Sequence, residues 1–233
     1  MKKSFYLLLI PLLFLMASCA KPYYITNSFK SKTANHKTVA VLPCEMVFTG
    51  SKPMDMSKEQ LAQLEEAESK AFQTSLYNQI LKSTHAGKKQ FRVDFQAVSK
   101  TNSIFVEQGL SIRDTWTKTP EELATLLNVD AVIRANVEKK RYMSDLASYG
   151  INIAKDVLIL LGTKNPLAFL GAGSLDDKTN DIKCSVSLID KEDGTVLWQM
   201  ADEAEADWDR PSNEVIDNIN KRIAKHFPYR VGK

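Results

Sequence analysis

Ile182-Lys183-Cys184-Ser185-Val186-Ser187-Leu188, then Asp190-Lys191-Glu192-Asp193-Gly194, then Thr195-Val196-Leu197-Trp198, is the stretch on which the fold turns. Ile182, Cys184, Val186 and Leu188 alternate with Lys183, Ser185 and Ser187, the period of a strand with one buried face. The acidic and glycine-closed segment that follows makes a tight turn, and Thr195 opens the return strand of a β-hairpin. Upstream, Ala131, Ile133, Ala135 and Val137 alternate in the same way with Arg134, Asn136 and Glu138. Thr38-Val39-Ala40-Val41-Leu42-Pro43 does not alternate, and reads as a strand buried on both faces and closed by its proline.

Helices fill the intervals. Ser57-Lys58-Glu59-Gln60 is a capping box for a helix to about Lys82, with Leu61, Leu64, Ala71, Phe72 and Leu76 on one stripe and Glu68 interrupting it. Phe91 to Phe95 alternates as a strand, and Lys100 to Gln108 is a short helix stopped by Gly109. Thr119-Pro120-Glu121-Glu122 caps a further helix, with Leu123, Leu126 and Leu127 on its apolar face and Asn128 at its end. The last helix starts near Pro211-Ser212 and carries Val215, Ile216, Ile219, Ile223 and Phe227 on one side. The order is β-α-β-α-α-β, insertion, β-β-α. That order predicts an α/β (α+β) domain over 38–233 with a mixed sheet of about five strands flanked by helices.

The N-terminus has its own logic. Lys2 and Lys3, an apolar run from Phe5 to Met16 and the small pair Ala17-Ser18 form a secretory signal over residues 1–18, too short to anchor as a helix. Leu15-Met16-Ala17-Ser18-Cys19 resembles the bacterial lipoprotein box, which implies that Cys19 is diacylated and becomes the first residue. Residues 20–37 show no apolar period and read as a flexible tether with a reach of roughly 25 Å. The chain has 31 Lys+Arg against 28 Asp+Glu, and losing Lys2 and Lys3 brings the two within one of each other. Nothing in that balance favours nucleic acid.

Val39-Ala40-Val41-Leu42-Pro43, Glu121-Glu122-Leu123-Ala124 through Asn128-Val129-Asp130-Ala131-Val132-Ile133, and Asp193-Gly194-Thr195-Val196-Leu197-Trp198 follow a recurring pattern. It resembles envelope lipoproteins related to the curli secretion channel subunit and to the lipoprotein activators of penicillin-binding proteins. The resemblance covers about 38–227. It implies a small mixed sheet, an assembly or accessory role, and no catalytic site. A ring-forming pore subunit and an activator of a cell-wall synthase are its two other implications. A pore is disfavoured by residues 145–180, which lack the alternating strands of about ten residues that a barrel needs. Ala20 after the cysteine resembles the outer-membrane sorting rule of well-studied Gram-negative bacteria, which places the protein at that membrane, facing the periplasm.

Other chemistry is sparse. His36, His85 and His226 lack partners at metal-ligand spacing, and Gly171-Ala172-Gly173 lacks the lysine of a phosphate loop. No cofactor is expected. Cys44 and Cys184 are either a disulfide or two buried thiols. The run Asp202 to Asp209 alternates as a solvated strand face, with a carboxylate ladder for Ca²⁺ or a basic partner as the sharper alternative. Lys139-Lys140-Arg141 reads as solvated, or as a lipid-headgroup contact. Residues 145–180 break the domain pattern with Ile151 to Leu161 and Leu167 to Leu170, which read as a helical hairpin. That hairpin could pack on its own core, insert at the membrane surface, or present Leu158, Leu161, Leu167, Phe169 and Leu170 to a second subunit or a protein partner.

Overall fold

The computed structural model describes residues 22–50, 57–83, 90–141, 180–206 and 212–231. Its centre is β6 (Ala131–Arg141), paired antiparallel with β7 (Asn180–Asp190) from Ala131↔Asp190 to Arg141↔Asn180. β7 returns into β8 (Val196–Ala206), with Leu188 opposite Trp198 and a bulge after Leu188. The turn between them is closed by Asp190 N–H donating to Thr195 O at 3.0 Å and Gly194 N–H to Asp190 O at 3.2 Å. Gly194 has φ +65, and a Cβ there would collide with the Glu121 carboxylate, so glycine answers both constraints at once.

On its other edge β6 pairs in parallel with two successive strands, β2 (Thr38–Val41) and β3 (Glu45–Gly50). Pro43 lies in the break that ends β2, as expected of a strand closed by its proline, and a second strand resumes on β6 at Glu45 with the pairing offset by one residue. The alternation from Phe91 to Phe95 resolves differently. β4 (Gln90–Phe91) pairs with β9 (Arg230–Val231) in a two-stranded ribbon, while β5 (Asp94–Phe95) joins β2 in parallel. Two partners at different angles divide one extended segment. The main sheet has seven strands in the order β1-β8-β7-β6-β2-β5 with β3 also on β6, a mixed sheet flanked by helices.

β1 (Tyr23–Ile25) is the largest departure from expectation. The stretch read as a tether pairs antiparallel with β8, Tyr23↔Met200 to Ile25↔Trp198, and continues into α1 (Phe29–Lys32) with Phe29 buried. A cluster of side chains holds it down. Lys32 Nζ lies 2.5 Å from Asp193 and 3.6 Å from buried Asp190. His36 bridges Tyr229 Oη (2.5 Å, Nδ1) and Asp190 (3.1 Å, Nε2). Asp130 accepts from the N–H groups of Lys37 and Thr38 at 2.7 and 2.9 Å. None of these contacts has a periodic signature. They join residues far apart in sequence, so a search for periodicity reads the segment as loose.

The helices follow their caps. Ser57 and Gln60 exchange hydrogen bonds of 3.2 and 2.9 Å at the start of α2 (Lys58–Lys82). α3 (Val98–Glu107) ends before Gly109, and α4 (Ile112–Thr117) is a helix that the order above omits, although Ser111 and Asp114 form its own capping box. α5 (Pro120–Leu127) starts at the Thr119–Glu122 box and stops at Asn128, φ 53. α6 is Ser212–Lys225. α2 and α6 cover one face of the sheet, with Phe72, Leu76, Ile133, Val186, Leu188, Trp198, Ile219 and Phe227 in one core. α3 and α5 cover the start of the other face, over Ala40, Leu42, Val132 and Ile189. Cys19, with residues 1–21, and Leu158, Leu161, Leu167, Phe169 and Leu170, with residues 142–179, lie outside the described residues.

Trp198 is fully buried and meets Phe227 edge-on, with ring centroids 5.6 Å apart. Trp198→Ala is expected to cost about 3–5 kcal/mol, read as a lower urea midpoint with an unchanged slope.

Candidate functional site

β3, β6, β7 and β8 each alternate, and α3 and α5 cover only the first residues of their outer face. The remainder is an open groove of about 610 Å³ lined by Glu45, Val47, Glu138, Lys183, Ser185 and Glu203 among others. Val47 is 44% exposed there, as an apolar spot between carboxylates. Glu138 accepts from Thr49 Oγ1 at 3.1 Å and Gln199 Nε2 donates to Ser185 Oγ at 3.1 Å, so part of the floor is already ordered. Lys183 and Glu203 are 4.0 Å apart and both about 60% exposed, a pairing worth little in water. The site has the character of a binding surface, broad and acidic.

In the acidic run on β8, Glu203 and Asp202 both border the groove, and the Asp202 carboxylate also accepts from Arg222 Nε of α6 at 2.6 Å. Among the described residues no group of three or more His, Cys, Asp or Glu side chains could hold a metal ion. His36 is engaged by Tyr229 and Asp190, and His226 lies against the Tyr23 ring. The Tyr229–His36–Asp190 chain resembles a proton relay in connectivity only. Burial, followed by the Asp190 and Asp130 charges, pushes the Tyr229 phenol well above its ordinary range. Burial also raises Asp190 against the pull of His36. The three groups hold the N-terminal segment in place.

Cys44 and Cys184 are buried free thiols. Both contribute to the inner core, but Cys44 precedes β3 and Cys184 is on β7, with β6 between. Both are free thiols in this structure. Burial, with a contribution from Cys184, pushes the Cys44 thiol well up, and burial followed by the Asp202 charge does the same for Cys184. Neither is a nucleophile at neutral pH.

Lys139, expected to be solvated or at lipid headgroups, is instead 1% exposed. Its Nζ lies 3.1 and 3.3 Å from the carboxylate oxygens of Glu68 and over the Phe48 ring. The signal was present as two faults. Glu68 interrupts the apolar stripe of α2, and Lys139 occupies an inward position of β6. Each is the other's partner.

No protein-family model matches the chain, and no curated protein matches its sequence. Several solved structures are similar to it. The PelC dodecamer from Paraburkholderia phytofirmans is 10% identical over 82% of this chain and 86% of that one, with a TM-score of 0.37. Lipoprotein GNA1162 from Neisseria meningitidis is 12% identical over 82% and 99%, TM-score 0.40. The LpoB C-terminal domain from Salmonella enterica is 10% identical over 72% and 82%, TM-score 0.38. At these levels none of them assigns the chain a family, an activity or a partner.

Two outcomes are expected. Ellman's reagent should leave Cys44 and Cys184 unmodified in the native protein and titrate both in denaturant. Glu68→Leu or Lys139→Met alone should cost about 3–5 kcal/mol, whereas the two combined should cost much less. A thermal-denaturation double-mutant cycle measures both.

Proposed function

We propose that this chain is a non-enzymatic envelope lipoprotein, anchored through acylated Cys19 at the outer membrane facing the periplasm, that binds a protein partner as an assembly or secretion accessory. The observation that carries the reading is Leu15-Met16-Ala17-Ser18-Cys19 behind a basic and apolar leader. The short spacer supports it. β1 begins at Tyr23, four residues after Cys19, so an extended spacer reaches only about 14 Å. The folded residues are then held at the bilayer surface. The open acidic groove on the outer sheet face is available to a partner, and Leu158, Leu161, Leu167, Phe169 and Leu170 supply a second, apolar contact to that partner or to another copy of this chain.

Incorporation of labelled palmitate tests the anchor. It should be lost in Cys19→Ser, and the unacylated mutant should no longer partition with the lipidated native protein into the detergent phase. Unchanged labelling would refute the anchor. For the apolar contact, replacing Leu158, Leu161 and Leu170 together by Ser in the full chain should preserve the melting transition and reduce the mass of the detergent-solubilised assembly by light scattering. A triple mutant that unfolds would place those side chains in the core.

A further inference from the structure

α2 and α6 both run antiparallel to the strands that precede them, so they pack parallel to each other and their C-termini lie side by side. Two helix C-termini together present roughly one negative elementary charge. One or two cations would complement it. Four are present: Lys82 from the end of α2, Lys221 and Lys225 one turn apart on α6, and Arg230 on β9, all lining one cavity of about 260 Å³ with Gln79 and Ser83. Lys82, Lys221 and Lys225 are exposed, and none of the four has a carboxylate partner within salt-bridge distance among the described residues.

Arg230 is the most constrained of them. Its guanidinium donates to Ala224 O, lies 6.0 Å over the Phe91 ring, and keeps a buried Nε–H that makes no hydrogen bond. The positive field is felt next door. Burial first, then the charges of Lys225 and Arg230, holds the His226 imidazole below its ordinary value. A solvated lysine face does not converge in this way on one concavity with an unsatisfied donor at its wall.

We propose that this basic pocket binds the headgroup phosphate of an anionic membrane lipid. The inference rests on the lipid anchor proposed above, because location supplies the ligand. The Tyr23 ring lies 5.6 Å from His226, the residue after Lys225, and Cys19 is four residues from Tyr23. An acylated Cys19 therefore confines the pocket to the neighbourhood of the bilayer surface. Each cation near an anionic surface is attracted to it, and the attraction fades within a Debye length. The match is one of charge and position. A dianionic phosphate or a phosphodiester would take its donors from the lysine ammonium groups.

The test uses the full lipidated protein in vesicles of phosphatidylcholine alone or mixed with phosphatidylglycerol, with acetylation rates at Lys82, Lys221 and Lys225 read by mass spectrometry. Phosphatidylglycerol should slow all three several-fold, and raising the salt from about 0.1 M to about 1 M should remove the protection. In Lys221→Glu/Lys225→Glu, whose positions are exposed on α6, the protection of Lys82 should disappear while the melting temperature holds. Equal rates on both vesicles would overturn the proposal. So would equal protection by inorganic phosphate on phosphatidylcholine alone, which would indicate a small-anion site. The anchor is read separately, from co-flotation with phosphatidylcholine vesicles. If that fails, the anchor is wrong, and the pocket is still judged by whether phosphatidylglycerol restores flotation of the native protein and not of the double variant.

Discussion

β6 is hydrogen-bonded along both edges, antiparallel to β7 on one side and parallel to β2 and then β3 on the other. A strand paired on both sides cannot slip by one residue without breaking both ladders and exchanging its faces. That constraint sorts the rest of the molecule. Ala131, Ile133, Ala135 and Val137 are committed to the core under α2 and α6, and Val132 to the smaller core under α5. Lys139 is committed to the inner side by the same parity, and Glu68 meets it there. The buried ion pair is thus a consequence of register. Its worth lies less in net stability than in what it excludes, since any shift of β6 would strand a charge on each side.

Local signals were legible wherever the physics is local. The capping boxes at Ser57 and Thr119, the left-handed stop at Asn128 and the hairpin around Gly194 can all be read from a few adjacent residues, and each is observed. Errors arose where the deciding partner is remote. Tyr23–Ile25 is a strand because β8 offers an edge, and residues 29–38 are ordered by Asp130, Asp190 and Tyr229. Phe91 to Phe95 looks like one strand until β9 and β2 each claim an end. α4 was a different kind of miss, because Ser111-Ile112-Arg113-Asp114 carries a capping box as readable as the other two.

The groove, the thiols and the basic pocket follow the same division. Sequence placed Glu203 on a solvated strand face, but only topology sets it beside Glu45 and Glu138, which come from strands far apart in the chain. Lys82, Lys221, Lys225 and Arg230 are unremarkable singly in sequence, two of them ordinary last-turn helix cations. They become a site through the parallel packing of α2 and α6. Cys44 and Cys184 show the converse, two residues whose chemistry looked open and whose burial as free thiols removes it.

The shortness of β1 gives the N-terminal segment a mechanical meaning. Three residue pairs join it to β8, at the margin of the sheet, and beyond it the chain leads to Cys19, the proposed point of acylation. A load applied through that route reaches β1 before any other element. Were β1 and α1 to peel away, residues 23–37 would pay out as chain, each lengthening the leash by up to about 3.5 Å. If the proposed anchor at Cys19 holds, the standoff between the folded body and the bilayer becomes a property of local unfolding at one edge, set by the contacts of Lys32, His36 and Asp130. Weakening them would change how far the body can travel while leaving its core intact.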